Sequence, residues 1–207
     1  MSEGEHWPGE QVVEVEVPDD EDTGEEPVAV VEVATEPEQL AGHAPGALDI
    51  PDGVDLLEGA PHGTRKRIAI VLSRFNGDVT NRLLESALGE IERAGIEREH
   101  VTVMPVPGAF ELPLGAMALA KTRRYVAVIA LGCVIRGETA HFEYVAGEAA
   151  SGLQLAALET GVPVAFGVLT TENLEQAMAR ADKGAEAVRS ALEMADVFAR
   201  LRATASA

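Results

Sequence analysis

The residues best suited to chemistry lie together in Leu131-Gly-Cys-Val-Ile-Arg-Gly-Glu-Thr-Ala-His-Phe-Glu-Tyr144, where an apolar run passes through a glycine-bearing loop into a helical pattern. Such a loop leaves backbone N–H groups free at a helix N-terminus. The helix macrodipole favours negative charge at the same place, so the stretch suits a phosphate or a carboxylate. Thr139 is the expected N-cap, which puts His141 in the first helical turn. A neutral imidazole beside a bound anion can take and give protons. An ordinary reading stands next to this one: Gly and Thr are common at strand-to-helix junctions, and a single His near a helix start is more often a surface residue than a catalyst.

The rest of the chain must supply the context. Its 207 residues, 46% of them hydrophobic, are enough for one domain with a core and a tail. The formal net charge of −19 is concentrated in the tail: 18 of the 35 acidic residues fall in positions 1–63, which contain no Lys or Arg. A lysine-free acidic segment is repelled by phosphodiester backbones and anionic lipid, so the charge disfavours nucleic acid and membrane surfaces as partners. The single Cys133 excludes an internal disulfide framework and suits a reducing cytoplasm. No His/Cys cluster has metal-ligand spacing, so no metal is expected. The N-terminus carries no basic or apolar targeting signal, and no run approaches the roughly 18–20 apolar residues of a membrane span.

Two parts are expected, an acidic, disordered extension over residues 1–63 and a folded domain over 64–207. The short valine alternations Val12–Val17 and Val28–Val33 are weak strand signals, opposed by like charges and by Pro18, Pro27 and Pro37. Leu48–Leu57 is a candidate to pair with the edge of the domain or with a neighbouring subunit. From Arg67 the pattern becomes regular. Ile68–Leu72, Val101–Val106, Tyr125–Leu131 and Pro163–Leu169 are short apolar runs of the kind buried on both faces. Helical patterns follow each one: Val79 to Ile91 closed by Gly95, Ala109 to about Thr122, about His141 to Glu159 closed by Gly161, and then two, near 172–181 and 184–202. Four strand-then-helix repeats with right-handed crossovers give an α/β fold, a flavodoxin-like three-layer α/β/α sandwich around a four-stranded parallel sheet.

Ligands in such sheets bind beyond the carboxyl ends of the strands, near the topological switch point. The rule selects Arg74 and Phe75, Gly108 to Glu111, Cys133 to His141, and Thr170 with Thr171. These offer an aromatic face, backbone donors, a carboxylate, an anion loop and an imidazole, a set suited to a flat heterocycle and a phosphate. No Ser-His-Asp arrangement, Walker loop or Gly-x-Gly-x-x-Gly is present. A receiver domain of the same fold would need acidic residues where Ser73 and Gly132 stand.

Several segments in order carry a family likeness: Ser73-Arg-Phe-Asn76, Val106-Pro-Gly-Ala-Phe-Glu-Leu-Pro113, Gly132 to Tyr144, Phe166-Gly-Val-Leu-Thr170, Glu175-Gln-Ala177 and Lys183-Gly184. Over about residues 64–202 the chain resembles the lumazine synthases. That resemblance implies a cofactor-free condensation of 5-amino-6-(D-ribitylamino)uracil with 3,4-dihydroxy-2-butanone 4-phosphate, in riboflavin biosynthesis. It implies that Phe75 stacks on the pyrimidine, that Ala109, Phe110 and Glu111 line the ribityl site, and that Cys133, Val134 and Ile135 follow the uracil edge. It gives Glu138 and Thr139 to the phosphate and makes His141 the proton shuttle, with Phe166 and Arg180 coming from an adjacent subunit of a homo-oligomer, a pentamer or a sixty-subunit shell of pentamers. Riboflavin synthase is a further implied partner. By local pattern alone, Phe75 is a helix staple, Glu111 a dipole complement, Cys133 and Phe166 core residues and Arg180 a solvated charge. The family pattern reverses these odds for Phe75, Glu111, Phe166 and Arg180.

Two features depart from the family. Only Ala181-Asp182 separates Arg180 from Lys183, where a longer glycine-containing loop is usual, and the acidic extension is long. A riboflavin synthase of related fold and a shell protein without turnover are the competing readings.

Overall fold

The computed structural model describes residues 49–63 and 66–204. Four strands, β1 (Ile68–Ser73), β2 (Val101–Val106), β3 (Ala127–Ile135) and β4 (Val164–Thr171), form one parallel sheet in the order β2-β1-β3-β4. Between and after them run α1 (Gly77–Arg93), α2 (Leu112–Lys121), α3 (His141–Thr160), α4 (Leu174–Ala179) and α5 (Lys183–Thr204). This is the flavodoxin-like sandwich that the strand-helix alternation implies.

The period-2 geometry of a strand divides the core into two halves. Ile68, Ile70, Leu72 and Ile129 face α1 and α5, packing with Leu83, Ile91, Val188 and Leu192. Ala69, Val71, Val128 and Ala130 face α2 and α3, packing with Leu112, Ala116, Leu153 and Ala156. Because β1 and β3 are covered on both faces, their sequences read as continuous apolar runs. The edge strands β2 and β4 are less buried.

The sequence places the end of the third strand at Leu131, but β3 continues to Ile135, paired residue by residue with β4 as far as Thr171. Gly132 and the charge of Arg136 obscure that extension. The glycine is required there: a Cβ at Gly132 would stand 2.9 Å from Leu112 Cδ1, so its absence lets the start of α2 close onto β3. Gly161, at φ 64°, ends α3 in the left-handed conformation that glycine favours.

Residues 49–57 form no strand and are exposed. The chain then meets the domain. Gly59 lies against Glu193 and Val197 of α5, the Ala60 N–H donates to Asp196 Oδ2 at 3.2 Å, and the Gly63 N–H donates to the Ala94 carbonyl at 2.8 Å. Asp196 is buried and also receives Arg200 Nε at 2.9 Å, with Lys66 Nζ at 3.6 Å and His62 Nε2 at 3.5 Å. Burial by itself would raise the Asp196 pKa, but the Ala60 N–H, Arg200, Lys66 and His62 outweigh it and hold the carboxyl below its ordinary value. The valine alternations at 12–17 and 28–33 lie outside the described residues.

Candidate active site

The order β2-β1-β3-β4 puts the topological switch between β1 and β3, whose following connections leave toward opposite sides of the sheet. A cavity of about 380 Å³ opens at their carboxyl ends, a size suited to a small ligand. Phe75, Asn76, Gly108, Ala109, Phe110, Cys133, Val134, Ile135, Thr139 and His141 line it, together with Gly137, Phe142 and Val145. Phe75 after β1, Gly108 to Phe110 after β2, and Cys133 to Ile135, Gly137, Thr139 and His141 of β3 and its loop are thus brought together.

Each wall has a local cause. Phe75 leaves β1 in a turn held by its N–H on the Pro107 carbonyl at 3.1 Å, and its ring is 70% exposed beside the cavity. Asn76 caps α1 in a left-handed conformation, φ 58°, ψ 47°, without capping by its side chain. Its amide is used across the switch instead, with Nδ2 donating to the Cys133 carbonyl at 2.9 Å. Ala109 and Phe110 lie on a 3-10 turn, Ala109–Glu111, that precedes α2. Cys133 is 2% exposed, and burial pushes its thiol up to about 11, so the sulfur is protonated and unreactive near neutral pH.

The loop after β3 has the open donors expected of an anion site. Among the described residues, the backbone N–H groups of Gly137, Glu138, Thr139 and Ala140 have no hydrogen-bond partner. The N-cap of α3 is Ala140, one residue later than expected, because Thr139 stands just outside the helix. The Thr139 hydroxyl nonetheless accepts the His141 N–H at 3.4 Å, and His141 opens the helix beside the cavity.

Four expected residues lie elsewhere on this chain. Glu111 turns back on its own segment, its Oε2 accepting the Gly108 N–H at 2.9 Å, and Glu138 is exposed on the loop. Phe166 is 48% exposed on the edge strand β4. Arg180 ends α4 and donates from Nη1 to the Gln176 carbonyl at 3.1 Å. Neither Phe166 nor Arg180 lines this chain's cavity. Thr171, at the end of β4, is buried and bonded to the Asn173 carbonyl. Asn76, Phe142 and Val145 are cavity residues that sequence reasoning did not single out. Only Asn76 carried a signal, as a residue known to tolerate the left-handed region directly before a helix.

A family model for 6,7-dimethyl-8-ribityllumazine synthase matches residues 65–199. The chain belongs to that family. Proteins named 6,7-dimethyl-8-ribityllumazine synthase from Yersinia pestis and Yersinia pseudotuberculosis are each 53% identical to it over 151 residues, 70% of this chain and 97% of theirs. The span matched to the lumazine synthase model begins just before β1 and reaches into α5, so it contains all four strand ends and the short Arg180–Lys183 connection. Among the described residues no helix is long and apolar enough to cross a membrane.

Proposed function

We propose that this chain condenses 5-amino-6-(D-ribitylamino)uracil with 3,4-dihydroxy-2-butanone 4-phosphate to 6,7-dimethyl-8-ribityllumazine, releasing phosphate and water, as a cytoplasmic enzyme of riboflavin biosynthesis that uses no cofactor. The observation that carries this reading is the convergence, around one cavity in a member of this family, of an exposed aromatic ring, a loop with four unbonded N–H groups and an imidazole.

In this reading Phe75 stacks on the pyrimidine, backbone groups of Cys133, Val134 and Ile135 meet its edge, and Ala109, Phe110 and Glu111 take the ribityl chain. The open amides from Gly137 to Ala140, with the Thr139 hydroxyl, hold the phosphate of the second substrate, and Glu138 belongs to the same loop. The amine of one substrate attacks the ketone of the other to form an imine and expel water. Phosphate leaves by elimination, and ring closure with a further dehydration completes the product. His141 moves the protons in these steps. Holding two reactants in register supplies most of the acceleration, and His141 on the order of 10²–10⁴-fold.

The reading also makes the protein a homo-oligomer whose sites lie between subunits. Tyr144, Leu155 and Leu158 on α3 and Leu114 on α2 are exposed apolar side chains of the kind an interface covers. Phe166 and Arg180, which do not line their own cavity, are proposed to complete a neighbour's, with the guanidinium gripping phosphate in a fork that lysine cannot reproduce. A pentamer or a shell of pentamers would place them so, and riboflavin synthase is the proposed consumer of the product.

Incubation with both substrates, following lumazine absorbance and phosphate release, tests the activity. Formation of the lumazine with stoichiometric phosphate is expected, and no product from a correctly folded chain would refute the proposal. Light scattering on the same sample gives the particle mass, and a monomer would remove the shared-site half.

A further inference from the structure

Arg136 is the residue in the open loop that none of the roles above uses. Its backbone N–H donates to the Thr171 carbonyl at 2.8 Å, fixing the start of the loop to the end of β4. Its side chain then meets three groups from two other segments. Nε lies 2.7 Å from Glu172 Oε2, beyond β4, and Nη1 lies 3.6 Å from Glu143 Oε1, in the first turn of α3. The guanidinium carbon stands 4.4 Å from the centre of the Phe142 ring. Glu172 is itself held, because its N–H donates to Gln176 Oε1 at 3.0 Å.

Each contact alone is weak. The Arg136 side chain is 44% exposed, and water screens exposed ion pairs so that each contributes little. What distinguishes the arrangement is that one planar fork meets all three partners at once, which a guanidinium does in a narrow range of orientations. Phe142 lines the cavity and follows His141 directly. Among the described residues the N–H groups from Gly137 to Ala140 hold nothing in place, and the one bond inside the loop is the long His141 N–H to Thr139 Oγ1 contact at 3.4 Å, so most of the restraint comes from the loop's ends.

We infer that Arg136 is the positioning residue of the site: by stacking on Phe142 and bridging Glu143 to Glu172, it sets the first turn of α3 so that His141 and the open amides face the cavity together. This rests on the reading under Proposed function for its kinetic consequence, though not for its structural one. Arg136 acts through its neighbours and need not touch substrate.

The test compares Arg136→Met, which keeps a long apolar stem, with Arg136→Lys, which keeps the charge but neither the fork nor the planar stack. Arg136→Met is expected to lower kcat by about tenfold or more, while KM for the ribitylaminopyrimidine stays within about twofold. Arg136→Lys is expected to leave most of that loss in place. Adding Glu143→Gln and Glu172→Gln to Arg136→Met should not restore turnover. Hydrogen exchange supplies a readout that needs no activity, with amides of residues 143–147 exchanging several-fold faster in Arg136→Met and those of β1 unchanged. Wild-type exchange at 143–147 would overturn the inference. So would full recovery of kcat by Arg136→Lys, or by the two glutamine substitutions, either of which would reduce Arg136 to its charge. If Arg136→Met does not fold, Glu172→Gln alone carries the exchange test, with the same direction expected. A wild-type chain without turnover would refute the proposed function and leave Arg136 to be judged by exchange.

Discussion

The loop from Arg136 to His141 and the turn from Ala179 to Lys183 both lead into long helices, yet they are held in opposite ways. Among the described residues the first keeps four successive backbone donors open, and it is restrained at its ends. The second closes on itself. The Arg180, Ala181, Lys183 and Ala185 N–H groups donate to carbonyls at Ala177, Met178, Arg180 and Asp182. Ser86 of α1 adds a clasp, donating to the Asp182 carbonyl at 2.9 Å and accepting the Ala185 N–H at 3.1 Å. Lys183 pairs with Glu186 at 2.6 Å within its own helix. The loop after β3 leaves its backbone donors unspent, whereas the turn after α4 uses its own internally. The short connection is therefore a well-bonded turn, with Lys183 paired to Glu186 at the start of α5.

Substitutions that touch only one of the two segments can break this contrast. The largest effect is expected from His141→Ala, with kcat falling about 10²–10⁴-fold at an unchanged melting temperature; undiminished turnover would take His141 out of the chemistry. Next comes a mixing experiment on the proposed shared site. Arg180→Ala and His141→Ala are each expected to be poorly active, and subunits unfolded and reassembled together should exceed the sum of the two, because some interfaces then carry both intact residues. Strict additivity would return Arg180 to the surface. On the stability side, a Cβ at Gly184 would lie 2.1 Å from the Leu83 carbonyl oxygen, so Gly184→Ala should cost about 1–3 kcal/mol in denaturant melts. Gly137→Ala meets nothing within 4 Å and should stay within about 0.5 kcal/mol of wild type, though it sits in the loop with the open donors. Equal losses at the two glycines would erase the distinction. A separate, pH-dependent effect concerns the clamp at Asp196. Its carboxyl is depressed in the folded state, so its contribution is complete above the ordinary value of 3.8 and is lost as pH falls through the lower folded value. Asp196→Asn should therefore lower the melting temperature at pH 7, and the gap to wild type should narrow below about pH 4.

Much of the fold was legible because burial on both faces writes β1 and β3 as unbroken apolar runs, and because Gly95 and Gly161 punctuate the helices. The carboxyl-end rule then selected Phe75, Gly108 to Phe110, Cys133 to Ile135, Gly137, Thr139 and His141, which line one cavity. Phe166 and Arg180 were not legible from local pattern. An edge-strand aromatic and a helix-end arginine have no periodicity that reports a neighbouring subunit, and only family likeness raised them. Arg136 escaped for a different reason. Its partners Phe142, Glu143 and Glu172 are separated along the chain, and only the pairing of Ile135 with Thr171 brings their segments side by side. The start of the packed unit was also hidden, since Gly59 to Gly63 belong by composition to the acidic stretch but bond to α5 and Ala94. Deletion of residues 1–48 is accordingly expected to spare activity and melting temperature, which kinetics and thermal melts on the shortened chain would check.

Cys133 has been described as a wall of the cavity with a protonated, unreactive sulfur. It is also the chain's sole thiol, and that makes it a clock. With Cys133 2% exposed, a thiol reagent must wait for the carboxyl end of β3 to part from its covering. The labelling rate then counts those openings in the native population, molecule by molecule and without any engineered probe. A ligand filling the cavity would slow the clock, and so would give a binding measurement that does not depend on turnover.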